Sequence, residues 1–256
     1  MKMTYTLDIN CDVGEGMPND EALMPYITSA NISCGFHAGN GDTIRHTMSL
    51  AIKYNTRIGA HPSFRDKENF GRVEMKLPPD KLYAIVIEQL IKMDLIAKEK
   101  GVTLHHVKPH GALYNMAARD VELARVIAQT IKDFRDDLIL YGMSGSYLIS
   151  EAKAMGLQTK SEVFADRTYQ DDGSLTPRSE SHALIEDEVQ CVRQVMQMVR
   201  EGRVTTVSGN VIPILAETVC IHGDGRNAVQ LAKAIHKALH HDASNRRRRK
   251  DDSSMG

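Results

Sequence analysis

The sequence predicts an α/β fold with a mostly parallel sheet, and three observations predict it. Short strand-like apolar runs alternate with helical stretches seven times along the chain, which calls for right-handed crossovers between parallel strands. The 256 residues, 42% of them hydrophobic and 25% charged, suffice for one domain of barrel size without a second. Residues with acid–base chemistry gather just past the strand-like runs, where parallel strands carry their sites. Seven such strands could close into a distorted barrel or lie open in a doubly wound sheet, and periodicity alone does not choose.

The first strand covers residues 5–9, after which LDINCDVGEG turns abruptly into a polar loop over residues 10–16. Gly14 and Gly16 let that loop bend sharply and let its backbone approach a ligand. Asn10, Asp12 and Glu15 supply its chemistry. Residues 28–33 form the second strand, which runs into SCGFHAGNGDT. Asp42 caps the helix that follows to Tyr54. A third strand over residues 57–60 leads into GAHPSFRDKENFGR, where Pro62 stops regular structure and a loop continues to Leu77. Pro78 and Pro79 open a long helix to Lys100. Its apolar face is Leu82, Ile85, Val86, Leu90, Met93 and Ile96.

Residues 103–107 are a fourth strand, ending in KPHGALYN. The helix over residues 119–134 sets Leu123, Val126, Ile127 and Ile131 on one side. A fifth strand (138–141), a short helix (146–155) stopped by Gly156, and a sixth strand (159–164) follow. The loop over residues 165–182 is long and polar and holds Asp171-Asp172-Gly173, a turn signal. A loop of that length in a compact domain is typical of lids and binding loops. A helix over 186–201 ends at Gly202, and residues 204–207 and 211–215 flank Ser208-Gly209-Asn210 as a hairpin. Residues 218–221 are the seventh core strand, followed by HGDGRN and a last helix over 227–239. Residues 1–242 read as a single domain, and 243–256, with four arginines followed by acids and serines, as a solvated, disordered tail.

A net charge of -1 creates no global field toward nucleic acid or membrane, so neither is expected as a partner. No apolar run approaches the roughly 18 residues of a membrane helix, and MKMTYTLDIN lacks the apolar stretch of a signal peptide. The four cysteines, Cys11, Cys34, Cys191 and Cys220, include no CxxC pair. They read as small buried residues with reduced thiols, which places the chain in the cytoplasm.

Every strand end but one carries conspicuous chemistry. The first gives Asn10, Asp12 and Glu15; the second His37; the third His61; the fourth Lys108 and His110. The sixth gives Glu162, Asp166 and Arg167, and the seventh His222 and Asp224. In a parallel fold these ends share one face, so groups far apart in sequence converge on one site. Two chemistries use such a set. Carboxylates beside imidazoles can bind a divalent metal that activates water, with Asp12, His61 and His110 as candidate ligands. The same groups can do metal-free general acid–base work. Lys108 could stabilise a developing oxyanion or phosphate charge. Arg167 and Arg178 could hold a substrate carboxylate by paired hydrogen bonds. HExxH, GxxxxGK[ST], GxSxG and a GxGxxG after the first strand are all missing.

Seven segments resemble the LamB/YcsF family of 5-oxoprolinase components. They are LDINCDVGEG, SANISCGFHAGN, IGAHPSFRD with NFGR, HHVKPHGALYN, LYGMSGS, SEVFADRTYQDDGSLTPRS and CIHGDG, in the family's order from Leu7 to about Leu239. SESHALIEDE after Arg178 and the arginine-rich tail depart from the family's pattern. The resemblance implies a distorted seven-stranded parallel (βα) barrel, TIM-like and similar to the sugar-deacetylase and glycosidase-like barrels. It implies ATP-dependent hydrolytic opening of 5-oxoproline (pyroglutamate) to L-glutamate, together with partner subunits B and C. ATP would act through the complex, with Mg2+ as its divalent ion, which agrees with the missing nucleotide motifs.

On that reading the catalytic set is Asp12, His37, His61, Lys108, His110, Glu162 and His222. Asp12 and His110 are first choices for general base and acid. Asn10, Glu15, Asp166, Arg167, Arg178 and Asp224 bind substrate. The competing readings are a stand-alone, metal-dependent, deacetylase-like amidohydrolase and a non-catalytic substrate-binding subunit.

Overall fold

Seven parallel strands close on themselves, which removes the open-sheet alternative. The computed structural model describes residues 7–223, 225 and 227–253, with side chains to residue 243. The barrel strands are β1 (Asp8–Val13), β2 (Ser29–Ser33), β3 (Arg57–His61), β4 (His106–Val107), β5 (Ile139–Met143), β6 (Thr159–Phe164) and β9 (Thr218–His222). Neighbours pair in chain order, and β9 closes the ring between β6 and β1. A hairpin of β7 (Arg203–Thr205) and β8 (Val211–Pro213) stands outside it. The expected hairpin is therefore present, two residues shorter at the far end of its second strand.

Helices wrap the barrel: α1 (Asp20–Leu23), α2 (Gly41–Lys53), α3 (Pro79–Glu99), α4 (Gly111–Arg119), α5 (Val121–Phe134), α6 (Tyr147–Ala154), α7 (Glu188–Glu201) and α8 (Ala228–Ser253). The cap of α2 is Asn40, whose side chain accepts from Asp42 N and Thr43 N, not the expected Asp42. α4 is a helix where a loop was expected. Gly111, at φ 55, bends the chain straight from β4 into it, and Asp120 then caps α5 separately. α8 continues past Leu239, where hydropathy ends it, into the stretch expected to be a disordered tail. No described helix is long and apolar enough to cross a membrane.

The largest revision concerns β1. Asn10 and Asp12 lie on the strand, not in a loop after it. Side chains along a strand alternate between its faces. Ile9, Cys11 and Val13 join the apolar layer under the helices, with Ala30, Ile32, Ile58, Ala60, Val107, Leu140, Val163, Val219 and Ile221 from the other strands. The opposite positions face a lumen that is almost wholly polar. Contacts between non-adjacent strands show it: Asn31 to His106, Ser29 to Tyr141, and Lys108 to Asp12 and Cys220. A strand whose inward residues read Asp-Asn-Asp looks like a loop by hydropathy.

Gly59 on β3 makes room for this interior. A Cβ there would stand 2.1 Å from His106 Nε2. His106 donates from Nε2 to Asn31 Oδ1 at 2.7 Å and stacks on Tyr141.

Buried imidazoles make stability depend on pH. Burial, helped by the neighbouring His105, holds His106 well below its ordinary value of 6.5. Burial, with Arg57 and Lys160 nearby, pushes His105 down to about 4. Between that value and 6.5 the unfolded chain binds protons that the folded chain refuses, so stability falls as pH falls through this window. Melting temperature should therefore drop from pH 7 to about pH 5, and the slope should be shallower in His105→Gln. An unchanged slope in that variant would contradict the assignment.

Candidate functional site

The lumen is built in layers from the amino end of the strands. At the bottom, Asp8 accepts from Thr28, Ser29 and Thr218 hydroxyls at 2.6, 2.7 and 2.8 Å. Burial alone would raise its pKa, but Lys160 and these hydroxyls hold it well below the usual range. One step up, Asn10 donates to Thr218 Oγ1 and accepts from Asn31, so both ends of its amide are engaged by the protein.

Above that layer Lys108 stands in the centre of the barrel, 2% exposed. Its Nζ donates to Asp12 Oδ1 at 2.9 Å and to Cys220 Sγ at 3.1 Å. It lies 2.9 Å from Glu162 Oε1, a charge contact without hydrogen-bond alignment. Burial opposes a charged lysine, yet Asp12, Cys220 and Glu162 together hold its pKa well above the ordinary range. Asp12 is reciprocally kept ionised: burial would raise its pKa, and His61 and Lys108 depress it well below the usual carboxylate range. Tyr114, from the unexpected helix α4, donates to Glu162 Oε2 at 2.6 Å. Asn31 Nδ2 donates to Asp12 Oδ1 at 2.8 Å. Asp12 thus presents its other oxygen, Oδ2, toward His61 Nε2 at 3.4 Å.

Three histidines and Glu15 close the mouth on this side. Glu15 Oε1 lies 3.0 Å from His37 Nε2, 3.4 Å from His110 Nδ1 and 3.8 Å from His61 Nε2. His110 Nδ1 and His61 Nε2 are 2.9 Å apart, and the His37 and His110 rings stack with centroids 3.7 Å apart. Burial, reinforced by His61, pushes His37 down to about 2. Burial and the neighbouring imidazoles likewise hold His110 well below its ordinary value. Glu15, His37, His61 and His110 form a buried group that could hold a metal ion, and Asp12, Cys220 and His222 form a second, looser one.

Across the mouth, His222 Nδ1 lies 2.9 Å from Asp166 Oδ1, and the His222 ring stacks on Phe164. Burial would raise the Asp166 pKa, but His222 lowers it below the usual value. Arg167 is buried and turned into the loop: its guanidinium donates to the carbonyls of Thr176 and Ala183 at 2.6 and 3.3 Å. Arg178 is exposed. Asp224 lies outside the described residues. The loop after β6 is tied down internally. Phe164 N donates to Tyr169 Oη at 2.7 Å, and Asp171 accepts from Ser208 and Asn210 of the hairpin at 2.6 and 3.0 Å. A cleft of about 1160 Å³ lies over the mouth, lined by Arg72, Gly111, Asn115, Arg167, Thr176 and Arg178 among others.

Asn31, Tyr114, Cys220 and Ser63 belong to this site and were not singled out from sequence. Tyr114 and Asn31 lie inside the segments KPHGALYN and ANIS, and Cys220 sits one inward position before His222. All four cysteines are buried and free, as expected.

The fold and site have known counterparts. The LamB/YcsF family model matches residues 7–252. A Geobacillus thermodenitrificans protein, named as the first (A) component of 5-oxoprolinase, is 50% identical over 241 residues, 93% of this chain and 94% of that protein. A Bordetella pertussis protein of the same name is 48% identical over 245 residues, 94% of this chain and 97% of that one. The crystal structure of a lactam utilization protein from Thermus thermophilus superposes with a TM-score of 0.87 at 39% identity, covering 92% of this chain and 96% of that one.

Proposed function

The chain belongs to the LamB/YcsF family, and from that premise we propose that it is the A component of a cytoplasmic 5-oxoprolinase, opening 5-oxoproline to L-glutamate with ATP and two partner subunits, B and C. A five-membered lactam is a stable amide, so water attacks it slowly. Phosphorylating its carbonyl oxygen from ATP, with Mg2+ accompanying the nucleotide, gives an imidate whose ring carbon accepts water. The C–N bond then breaks, the ring nitrogen takes up a proton, and the resulting acyl phosphate is hydrolysed to glutamate and phosphate. The phosphoryl transfer falls to the partners, because this chain has neither GxxxxGK[ST] nor a GxGxxG after its first strand. Water attack and ring-nitrogen protonation fall to this chain.

One observation carries the reading. Asp12, kept ionised, touches His61, and His61 touches His110, so a base and an acid stand on one line of contacts. Asp12 takes the proton of the attacking water. His110 returns a proton to the leaving nitrogen, with His61 between them. Lys108 and Glu162 hold Asp12 in place from below. Asn10 and Glu15 position the network, and the His222–Asp166 pair borders the site. Arg178, in the cleft, meets the substrate carboxylate or phosphate, with Arg167 shaping the loop that carries it.

Purified alone, the chain should release no glutamate from 5-oxoproline, with or without ATP and Mg2+. Glutamate assayed after long incubation checks this, and robust turnover by the single chain would overturn the division of labour.

A further inference from the structure

We propose that Glu15, His37, His61 and His110 bind one divalent transition-metal ion of the zinc class at the mouth of the barrel. The inference stands on ring tautomers and spacing and does not depend on the lactam reading.

Each of the three imidazoles has its outward nitrogen engaged as a donor. His61 Nδ1 donates to the Lys108 carbonyl at 2.7 Å. His110 Nε2 donates to the Phe70 carbonyl at 2.9 Å. His37 Nδ1 faces Ser63 Oγ at 2.9 Å. The Ser63 hydroxyl hydrogen is directed to the Phe64 carbonyl at 2.8 Å. Its oxygen can therefore only accept from His37. These partners fix the tautomers, so the inward nitrogens are His37 Nε2, His61 Nε2 and His110 Nδ1, each with a lone pair. Outer-shell bonds of this kind orient and tune the histidines of metal sites.

The inward nitrogens and Glu15 Oε1 all lie within 4.8 Å of one another. Two of them, on His61 and His110, face each other at 2.9 Å. Two lone pairs at that distance repel unless a cation lies against both. Tetrahedral zinc with metal–nitrogen bonds near 2.0–2.1 Å separates its ligand atoms by about 3.3 Å. The observed separations of 2.9, 3.0, 3.4 and 3.8 Å surround that value. Three imidazoles and one carboxylate suit zinc and its neighbours, whereas magnesium and calcium take oxygen ligands.

Asp12, the third candidate from sequence, is not in this set. Its Oδ1 is held by Lys108 and Asn31, and its Oδ2 flanks His61 from outside. The second group, Asp12 with Cys220 and His222, is the weaker alternative. Cys220 already accepts from Lys108, and burial pushes its thiol well above the usual range.

The test uses the full chain, stripped with chelator and titrated with zinc chloride by calorimetry, followed by X-ray absorption of the loaded protein. The expected result is one equivalent of zinc with three imidazoles and an oxygen in its shell. Glu15→Gln and His61→Asn should each weaken binding more than the roughly 10–100-fold that loss of an outer-shell partner costs. Ser63→Ala should fall within that range, and His222→Asn should bind as the unchanged chain does. No bound zinc, a shell with fewer than three imidazoles, or loss of binding in His222→Asn alone would overturn the proposal. The absorption measurement needs no variant, so a misfolded mutant leaves it decisive.

Discussion

Asp12→Asn is expected to lower turnover by the assembled three-subunit enzyme roughly 100- to 10,000-fold, the range of general acid–base catalysis. The change keeps the side chain's size and its hydrogen bond from Asn31 but removes the charge that Lys108 and His61 hold ionised. His110→Asn should cost a similar factor, because it removes the far end of the Asp12–His61–His110 line. If the two residues serve one proton transfer, the double variant should be little slower than the slower single one, since residues that act as a unit are non-additive. Both side chains are 6% exposed and lie in the barrel rather than on solvent-facing loops. Melting curves must therefore accompany the rates. Near-normal rates in both single variants would remove Asp12 and His110 from the chemistry, and lost melting transitions would make them structural.

Lys108→Met should show the largest loss of stability. It leaves Asp12 and Glu162 buried without the cation between them. Breaking a buried pair from one side costs about 3–5 kcal/mol, which lowers the melting temperature by roughly 10 °C in a chain of this size. Adding Glu162→Gln should recover part of the loss, because one uncompensated charge disappears while Tyr114 keeps an oxygen to donate to. The pH response should also change sign locally. Without Lys108, burial raises the folded-state pKa of the remaining carboxyls above the unfolded value. The folded state then binds protons more readily, and the variant regains stability as pH falls. A melting temperature equal to that of the unchanged chain would show that Lys108 is not the charge on which the lumen depends.

Much of this was legible in the sequence, and the exceptions have physical causes. The alternation of apolar runs gave the barrel's strands in order, and the residues after them gave His61, Lys108 and His110 as neighbours. The register of β1 was not read correctly, because a strand lining a polar lumen carries its acids and amides at alternate positions. The period-2 pattern was present in LDINCDV, with Ile9, Cys11 and Val13 outward, but hydropathy gives such a run little weight. Helix α4 was hidden by the Pro109 and Gly111 that begin it, so Tyr114 was missed. Arg167 illustrates the remaining limit. Its residue type suits a substrate carboxylate, and only the folded loop shows its guanidinium turned to the Thr176 and Ala183 carbonyls.

The most direct test of the central claim, that this chain performs the hydrolytic half of an ATP-coupled ring opening, is an omission experiment. The chain and its two candidate partner subunits are mixed with 5-oxoproline, ATP and Mg2+, and glutamate and ADP are measured together. Both products should form when all three proteins are present, and glutamate should vanish when this chain is omitted or replaced by Asp12→Asn. Glutamate formed at an undiminished rate by the two partners without this chain would contradict the account.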